Sequence, residues 1–281
     1  MEAALLIMLR EGFEAALVVA IVFAYLRRIG RLDLARSVWL GVALATAAAL
    51  TVGIVVRVTV GSLEGDARLR SFAAISAVAT VVLTWMIFWM RRQSRLIKGD
   101  LEHRVDAAIR SDNTRRAIIA VALVAVLREG IEAALFLLAA GTGESGGAVV
   151  VGALVGLALA SLLAYVVYRG GRSMPMKAFF TVTGLLLIAF AAGLVAKTVL
   201  FLQISGDLGS LNLNGVYDLT AYRLLTQRTE AGKFLAAMFG WDPRPSIEQV
   251  VAWTAFAGPV TWLFLRRSTV RRPAPVQAVN A

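Results

Sequence analysis

The sequence predicts an all-α polytopic membrane protein of about seven transmembrane helices: an inverted 3+3 repeat plus a seventh helix, N-terminus outside and C-terminus cytoplasmic. Three observations carry this. Hydrophobic residues make up 59% of the 281 residues and the mean hydropathy is +0.75, beyond the range of ordinary soluble domains. A charged motif, Arg10-Glu11-Gly12-Phe13-Glu14, recurs as Arg128-Glu129-Gly130-Ile131-Glu132 inside a second apolar run. Arginine and lysine alternate between rich and poor inter-span segments, as the positive-inside rule requires.

Taken in order, the apolar runs place spans at approximately 3–26, 38–60, 71–90, 117–140, 147–168, 177–202 and 248–265. Each is near the length of about 20 residues that crosses a hydrocarbon layer roughly 30 Å thick. Loops 27–37, 91–116 and 169–177 and the tail after 265 hold 19 of the 29 Arg and Lys residues, and the alternate set holds 7. The richer set faces the cytoplasm. This distribution explains the net charge of +11 without nucleic acid as a partner. The N-terminus lacks the basic flank of a cleavable signal, and its apolar run already contains the first motif. Residues 1–266 read as a single transmembrane domain: repeat one over about 1–91, repeat two over about 117–202, an outer loop over about 203–247, and the seventh helix over about 248–265. Within the loop, 226–239 reads as a short amphipathic helix. The stretch 267–281 reads as a basic, disordered cytoplasmic tail.

The two motifs lie 118 residues apart with an odd number of spans between them, so they enter the membrane with opposite polarity. Inverted repeats commonly place a site at their interface near the midplane. Three formal charges near a helix centre cost about 8–10 kcal/mol on insertion scales, which marks them as functional by default. On a helix, Glu11 and Glu14 share a face, as do Glu129 and Glu132, and each arginine is four residues from the second glutamate of its own motif. Gly12 with Ala16 and Gly130 with Ala134 are small pairs that let helices approach closely. If the two antiparallel helices cross at Gly12 and Gly130, four carboxylates and two guanidiniums form a cluster of net charge −2. A hard multivalent cation bound through oxygen alone would offset that charge. The plainer reading is an interhelical Arg–Glu clamp, but a clamp does not need the two extra carboxylates. There is no cysteine, and the one histidine, His103, falls in a charged loop. Zinc, copper and haem sites of the usual kind are therefore excluded.

At these residues the chain resembles the high-affinity iron permease family, the oxidase-dependent iron transporters whose bacterial members form the permease of a ferrous-iron uptake system. The paired motif in the first and fourth of seven spans carries the resemblance. Leu83-Thr84-Trp85-Met86-Ile87-Phe88-Trp89-Met90 is similar to the family's third-span ending, and Tyr217-Asp218-Leu219-Thr220 through Gly240-Trp241-Asp242-Pro243-Arg244-Pro245-Ser246 to the last outer loop of bacterial members. The resemblance implies iron uptake across the plasma (inner) membrane, with Glu11, Glu14, Glu129 and Glu132 as iron-handling carboxylates and Arg10 and Arg128 as supporting ion pairs. It also implies iron as substrate rather than as a resident cofactor, an extracytoplasmic protein that oxidises or delivers iron, membrane lipid as surroundings, and no enzymatic activity. Two departures stand out. Family acids near the start of span 3 give way here to Leu69-Arg70-Ser71-Phe72-Ala73, and a late span-6 His-Glu pair to Leu200-Phe201-Leu202-Gln203-Ile204.

The remaining polar residues have plainer readings beside the functional ones. Lys197 reads as an interfacial anchor or a step on a cation path, and Asp218 as an outer capture carboxylate or a turn former. Glu64 and Asp66 read as a solvated outer turn, while Glu102, His103 and Asp106 read as a solvated cytoplasmic face. Trp85, Trp89 and Trp262 read as interfacial anchors. A proton-coupled transporter of another cation or small solute, with the same glutamates as a proton relay, is the alternative function. An intramembrane enzyme is disfavoured, because no Ser/His or zinc constellation is available.

Overall fold

The computed structural model describes residues 1–93, 97–141, 146–170, 176–210, 215–222, 225–226 and 229–266. Among these residues every regular element is helical: α1 (Glu2–Arg28), α2 (Ala35–Gly61), α3 (Gly65–Gln93), α4 (Ile97–Ile109), α5 (Thr114–Ala140), α6 (Gly146–Gly170), α7 (Met176–Ile204), α8 (Glu230–Phe239) and α9 (Ile247–Leu265), with one 3-10 turn at Leu32–Leu34. Four stretches are long and apolar enough to cross a membrane: Leu32–Gly61, Gly65–Trp89, Gly146–Val166 and Thr181–Ile204. α1 and α5 are as long, 27 residues each, but each carries the three-charge motif. Local sequence sets several ends. Asn113 caps α5, Thr229 caps α8 and Ser246 with Gln249 closes a capping box on α9; each supplies an acceptor to an otherwise orphan helix N–H.

The two motif helices each lie along a groove of small residues on another helix. α1 packs on α6 and α5 packs on α2, the most extensive pairings in the molecule. On α2 the groove is Gly41, Ala45, Ala49 and Gly53; on α6 it is Gly152, Gly156, Ala160 and Ala164. Both have the spacing of four that keeps small residues on one face. A methyl group at Gly41 would sit 2.6 Å from the carbonyl oxygen of Ile119 and 2.8 Å from Ala122 Cβ. The register also gives direction. Gly41 meets Ile119 and Ala122, Ala49 meets Gly130, and Gly53 meets Ala134, so α2 and α5 run parallel. Gly152 meets Ala4, Gly156 meets Met8 and Leu9, and Ala160 meets Gly12, so α1 and α6 do the same. α3 lies antiparallel to α7, with Arg70 against Asp207 and Phe72 against Phe201.

This packing corrects the expected crossing. Gly12 faces Ala160 and Leu157 on α6, and Gly130 faces Ala49 on α2, so the two glycines do not meet each other. The contact of α1 with α5 is made beside them.

Two further expectations change. The segment 91–116, read as a loop, contains α4, whose Leu101, Val105 and Ala108 pack into a core cluster with Val22, Tyr25 and Leu26 of α1 and Ile118 and Ala122 of α5. A period of 3.6 is present there, diluted by eight Arg and Lys residues. The outer segment 203–247 is likewise not wholly outside the bundle. Its helix starts at Glu230 rather than near 226, and Met238 is buried in a cluster with Ala3 and Ile7 of α1 and Leu187, Phe190 and Leu194 of α7. The chain leaves α8 at Gly240 with φ +65, its backbone pressed on Gly193. Only glycine takes that conformation readily. The expected tail at 267–281 lies outside the described residues.

Close approach at Gly41 should be felt in stability. Gly41→Ala is expected to lower the thermal midpoint of the detergent-solubilised protein, as overpacking of about 1–3 kcal/mol does. Gly258→Ala, where a Cβ meets nothing within 4 Å, should leave it in place. Equal midpoints for the two variants would show that the α2–α5 groove tolerates a methyl group.

Candidate metal centre

The motifs sit between the two apolar clusters along both helices. On α1 the chain passes from Ala3 and Ile7 through 10–14 to Val22 and Leu26; on α5 it passes from Ile118 and Ala122 through 128–132 to Phe136 and Ala139. The two helices therefore run antiparallel, and their charged layers coincide between dry layers on either side.

All four glutamates and Arg10 are buried: Glu11 is 1% exposed, Arg10 3%, and Glu14, Glu129 and Glu132 between 7% and 8%. Within each motif the arginine reaches the glutamate one turn on. Arg10 Nε lies 3.1 Å from Glu14 Oε1, and Arg128 Nε donates to Glu132 Oε1 at 3.0 Å. The first glutamate of each motif is left for other work. Carboxylate oxygens of Glu11, Glu14 and Glu129 lie within 4.8 Å of one another. Both oxygens of Glu11, and Oε2 of Glu129 and of Glu132, accept no hydrogen bond among the described residues. A buried carboxylate without donors is costly unless a cation approaches it. Oxygen-only ligands held this close suit a hard cation at metal–oxygen distances of about 2.0–2.6 Å. The structure thus brings together Glu11, Glu14 and Glu129 from the expected set, and places Glu132 beside them as the partner of Arg128.

The arginines differ. The Arg10 side chain is 4% exposed and the Arg128 side chain 32%. Arg10 lines a small cavity together with Ile7, Leu187, Phe190 and Met238. Arg128 lies under two tryptophans of α3, its Cζ 3.9 Å from the Trp89 ring centroid and 5.6 Å from that of Trp85. The anchor reading of Trp85 and Trp89 therefore misses their role as partners of a motif residue. Their spacing of four on one face of span 3 was the available signal.

Asp218 lies away from the motifs, exposed, accepting from the Thr220 hydroxyl and backbone N–H and 4.0 Å from Arg244. These donors hold its carboxyl below the usual carboxylate range. Arg70, near the start of α3, forms a two-pronged ion pair with Asp207, both N–O distances 2.7 Å. That pair, with Ser205 Oγ donating as well, depresses the Asp207 carboxyl. Gln203, near the end of α7, donates to Glu248 at 3.0 Å. His103, Glu102 and Asp106 lie on α4. There Asp106 accepts from Tyr25 Oη and Glu102 pairs with Arg28 at 3.4 Å, so two of these three residues tie α4 to the end of α1.

The difference between the arginines has a measurable consequence. Arg10→Leu should lower membrane abundance and thermal stability, because breaking a fully buried pair costs about 3–5 kcal/mol. Arg128→Leu should cost less, and lysine should rescue either only in part, since it lacks the planar fork. Equal stability of Arg10→Leu and the parent protein would show that the buried charge is compensated elsewhere.

The model of the Iron permease FTR1 family matches residues 1–268. Proteins named ferrous iron permease EfeU are similar along nearly the whole chain. The one from Escherichia coli strain UTI89 is 36% identical over 261 residues, covering 92% of this chain and 94% of the relative. That of Shigella sonnei strain Ss046 is 36% identical over 260 residues, 92% and 93%, and that of Yersinia pestis 35% over 260 residues, 92% and 91%. No solved structure matches. With its apolar helices and a family match over nearly its full length, this multi-pass membrane protein belongs to the iron permease FTR1 family.

Proposed function

We propose that the chain moves iron ions into the cell across the plasma (inner) membrane, through a midplane site of glutamates contributed by α1 and α5. The observation that carries this is the group of Glu11, Glu14 and Glu129 oxygens within 4.8 Å, buried and with Glu11 wholly without donors. The oxygens form a hard, anionic set without sulfur or imidazole, which fits ferric iron better than copper(I). Iron arrives as the ferric ion after oxidation outside, handed over by an extracytoplasmic protein. Glu132 completes the charge of the layer and joins as the ion passes. The membrane lipid is solvent, and no covalent chemistry is performed on the substrate.

Placement of the layer between two apolar clusters supports a carrier that exposes the site to one side at a time. The packing of α1 on α6, α5 on α2 and α3 on α7 supports the inverted repeat, since exchanging the two halves leaves this set of pairings unchanged. Parallel α1–α6 and α2–α5 and antiparallel α1–α5 and α3–α7 are the directions that alternating spans require, and the positive-inside rule supports the N-terminus outside and the C-terminus inside. A reporter fused to the C-terminus should be active only on the cytoplasmic side; activity only outside would reverse the topology.

The central test is radioiron uptake by single and double glutamine variants at equal membrane abundance. Glu11→Gln, Glu14→Gln or Glu129→Gln should each nearly abolish uptake, and a second change should add far less than the first, because ligands of one ion act as a unit. Losses that multiply between the two motifs would show two separate sites. Uptake of iron that needs neither motif, with a proton gradient driving another solute instead, would favour the proton-relay reading.

A further inference from the structure

We propose that Trp89 of α3 is a positioning residue of the transport site, acting through Arg128; this rests on the iron-permease reading above. Arg128 has an uncommon situation for a motif residue. It is one residue from Glu129, whose Oε2 stands open, yet its Nε is committed to Glu132 Oε1 at 3.0 Å. A guanidinium carries five N–H donors, enough to bind both glutamates of its motif and occupy the oxygens an ion needs. What restrains it is the face of Trp89, 3.9 Å from Cζ to the ring centroid. A planar cation at that distance over an indole is held by cation–π attraction and stacking, which fix its plane as well as its position.

Trp85 supports the arrangement from outside. Its ring stacks on Trp89 with centroids 6.0 Å apart and planes inclined by 25°, and it is itself 56% exposed. The pair covers a guanidinium that is one-third exposed on a helix whose Val124 and Ile131 face outward. The ring face of Trp89 keeps the charge of Arg128 on Glu132, and Glu129 stays open for the ion. Without it the arginine turns toward Glu129 and competes with iron. The defect therefore falls on apparent affinity rather than on turnover.

The test is radioiron uptake by proteoliposomes of the full chain, measuring KM and Vmax per inserted molecule for the parent protein, Trp89→Phe, Trp89→Tyr, Trp89→Leu and Trp85→Leu. Trp89→Leu should raise KM about 5- to 30-fold, the factor that loss of a partly desolvated cation–π contact corresponds to, with Vmax within about twofold. Tyrosine and phenylalanine keep a ring face and should restore most of the affinity. Trp85→Leu should raise KM less than Trp89→Leu does. A lower abundance of Trp89→Leu with unchanged KM would reduce the residue to packing and overturn the proposal, as would equal KM shifts for the leucine, tyrosine and phenylalanine variants. Should Trp89→Leu fail to insert, the aromatic variants decide: KM values close to the parent's support the ring-face role, and a rise as large as that expected for leucine overturns it. If the parent protein takes up no iron, the functional reading falls first and this inference with it; parent uptake with an unmoved KM removes this inference alone.

Discussion

Carboxylates buried between apolar layers are the constraint to which the other elements answer. Water cannot reach Glu11, Glu14, Glu129 and Glu132 in quantity, because clusters around Ile7 and Phe136 on one side and Leu26 and Ile118 on the other close the layer. In such a medium each ionised group needs a partner of opposite charge or a donor. The motif supplies one arginine for two glutamates, which leaves a deficit of positive charge in each half. Stability alone would favour pairing every acid, or replacing the set with apolar residues, since buried ion pairs seldom outperform a packed hydrophobic core. Keeping the deficit makes sense for a site that completes itself with a passing cation.

Holding two charged helices side by side then demands close packing elsewhere, because hydrocarbon provides no hydrophobic drive between helices. The grooves on α2 and α6 meet that demand. Gly41 against Ile119 and Gly156 against Leu5 and Leu9 let backbones approach where larger residues would hold them apart. α1 is thereby seated on α6 and α5 on α2, and α1 also meets α5. The glycines inside the motifs serve the same seats: Gly12 faces Ala160 and Leu157 on α6, and Gly130 faces Ala49 on α2.

How far the sequence could be read follows from what kind of signal each feature leaves. Long apolar runs and duplicated charges are one-dimensional, so the helical membrane class and the motif residues were legible directly. The pairing of Arg10 with Glu14 and of Arg128 with Glu132 was legible too, because a spacing of four on a helix implies it. The direction in which Gly12 and Gly130 face was not. A glycine permits close approach without naming its partner, and the groove stripes that do name it lie in other spans. α4 was hidden because its apolar residues, Leu101, Val105 and Ala108, are spaced among charges that read as loop. The burial of Met238 was hidden because a ten-residue helix between turn formers looks the same whether it lies on the bundle or enters it.

The two motif arginines meet different surroundings. Arg10 is sealed beside Phe190 and Met238, the latter brought in by α8, an element with no equivalent among the described residues of the first half. Arg128 instead rests half-covered under Trp89 and Trp85. The two glutamate pairs are unequal in turn: Glu14 pairs with an arginine whose side chain is 4% exposed, and Glu132 with one whose side chain is 32% exposed. α3, which carries Trp89, packs against α7, and α7 against α8 and α9, so the cluster around Met238 and the cover of Arg128 are joined through α7. The two motifs thus share an ion pair and a seat on a small-residue groove, and differ in what covers each arginine.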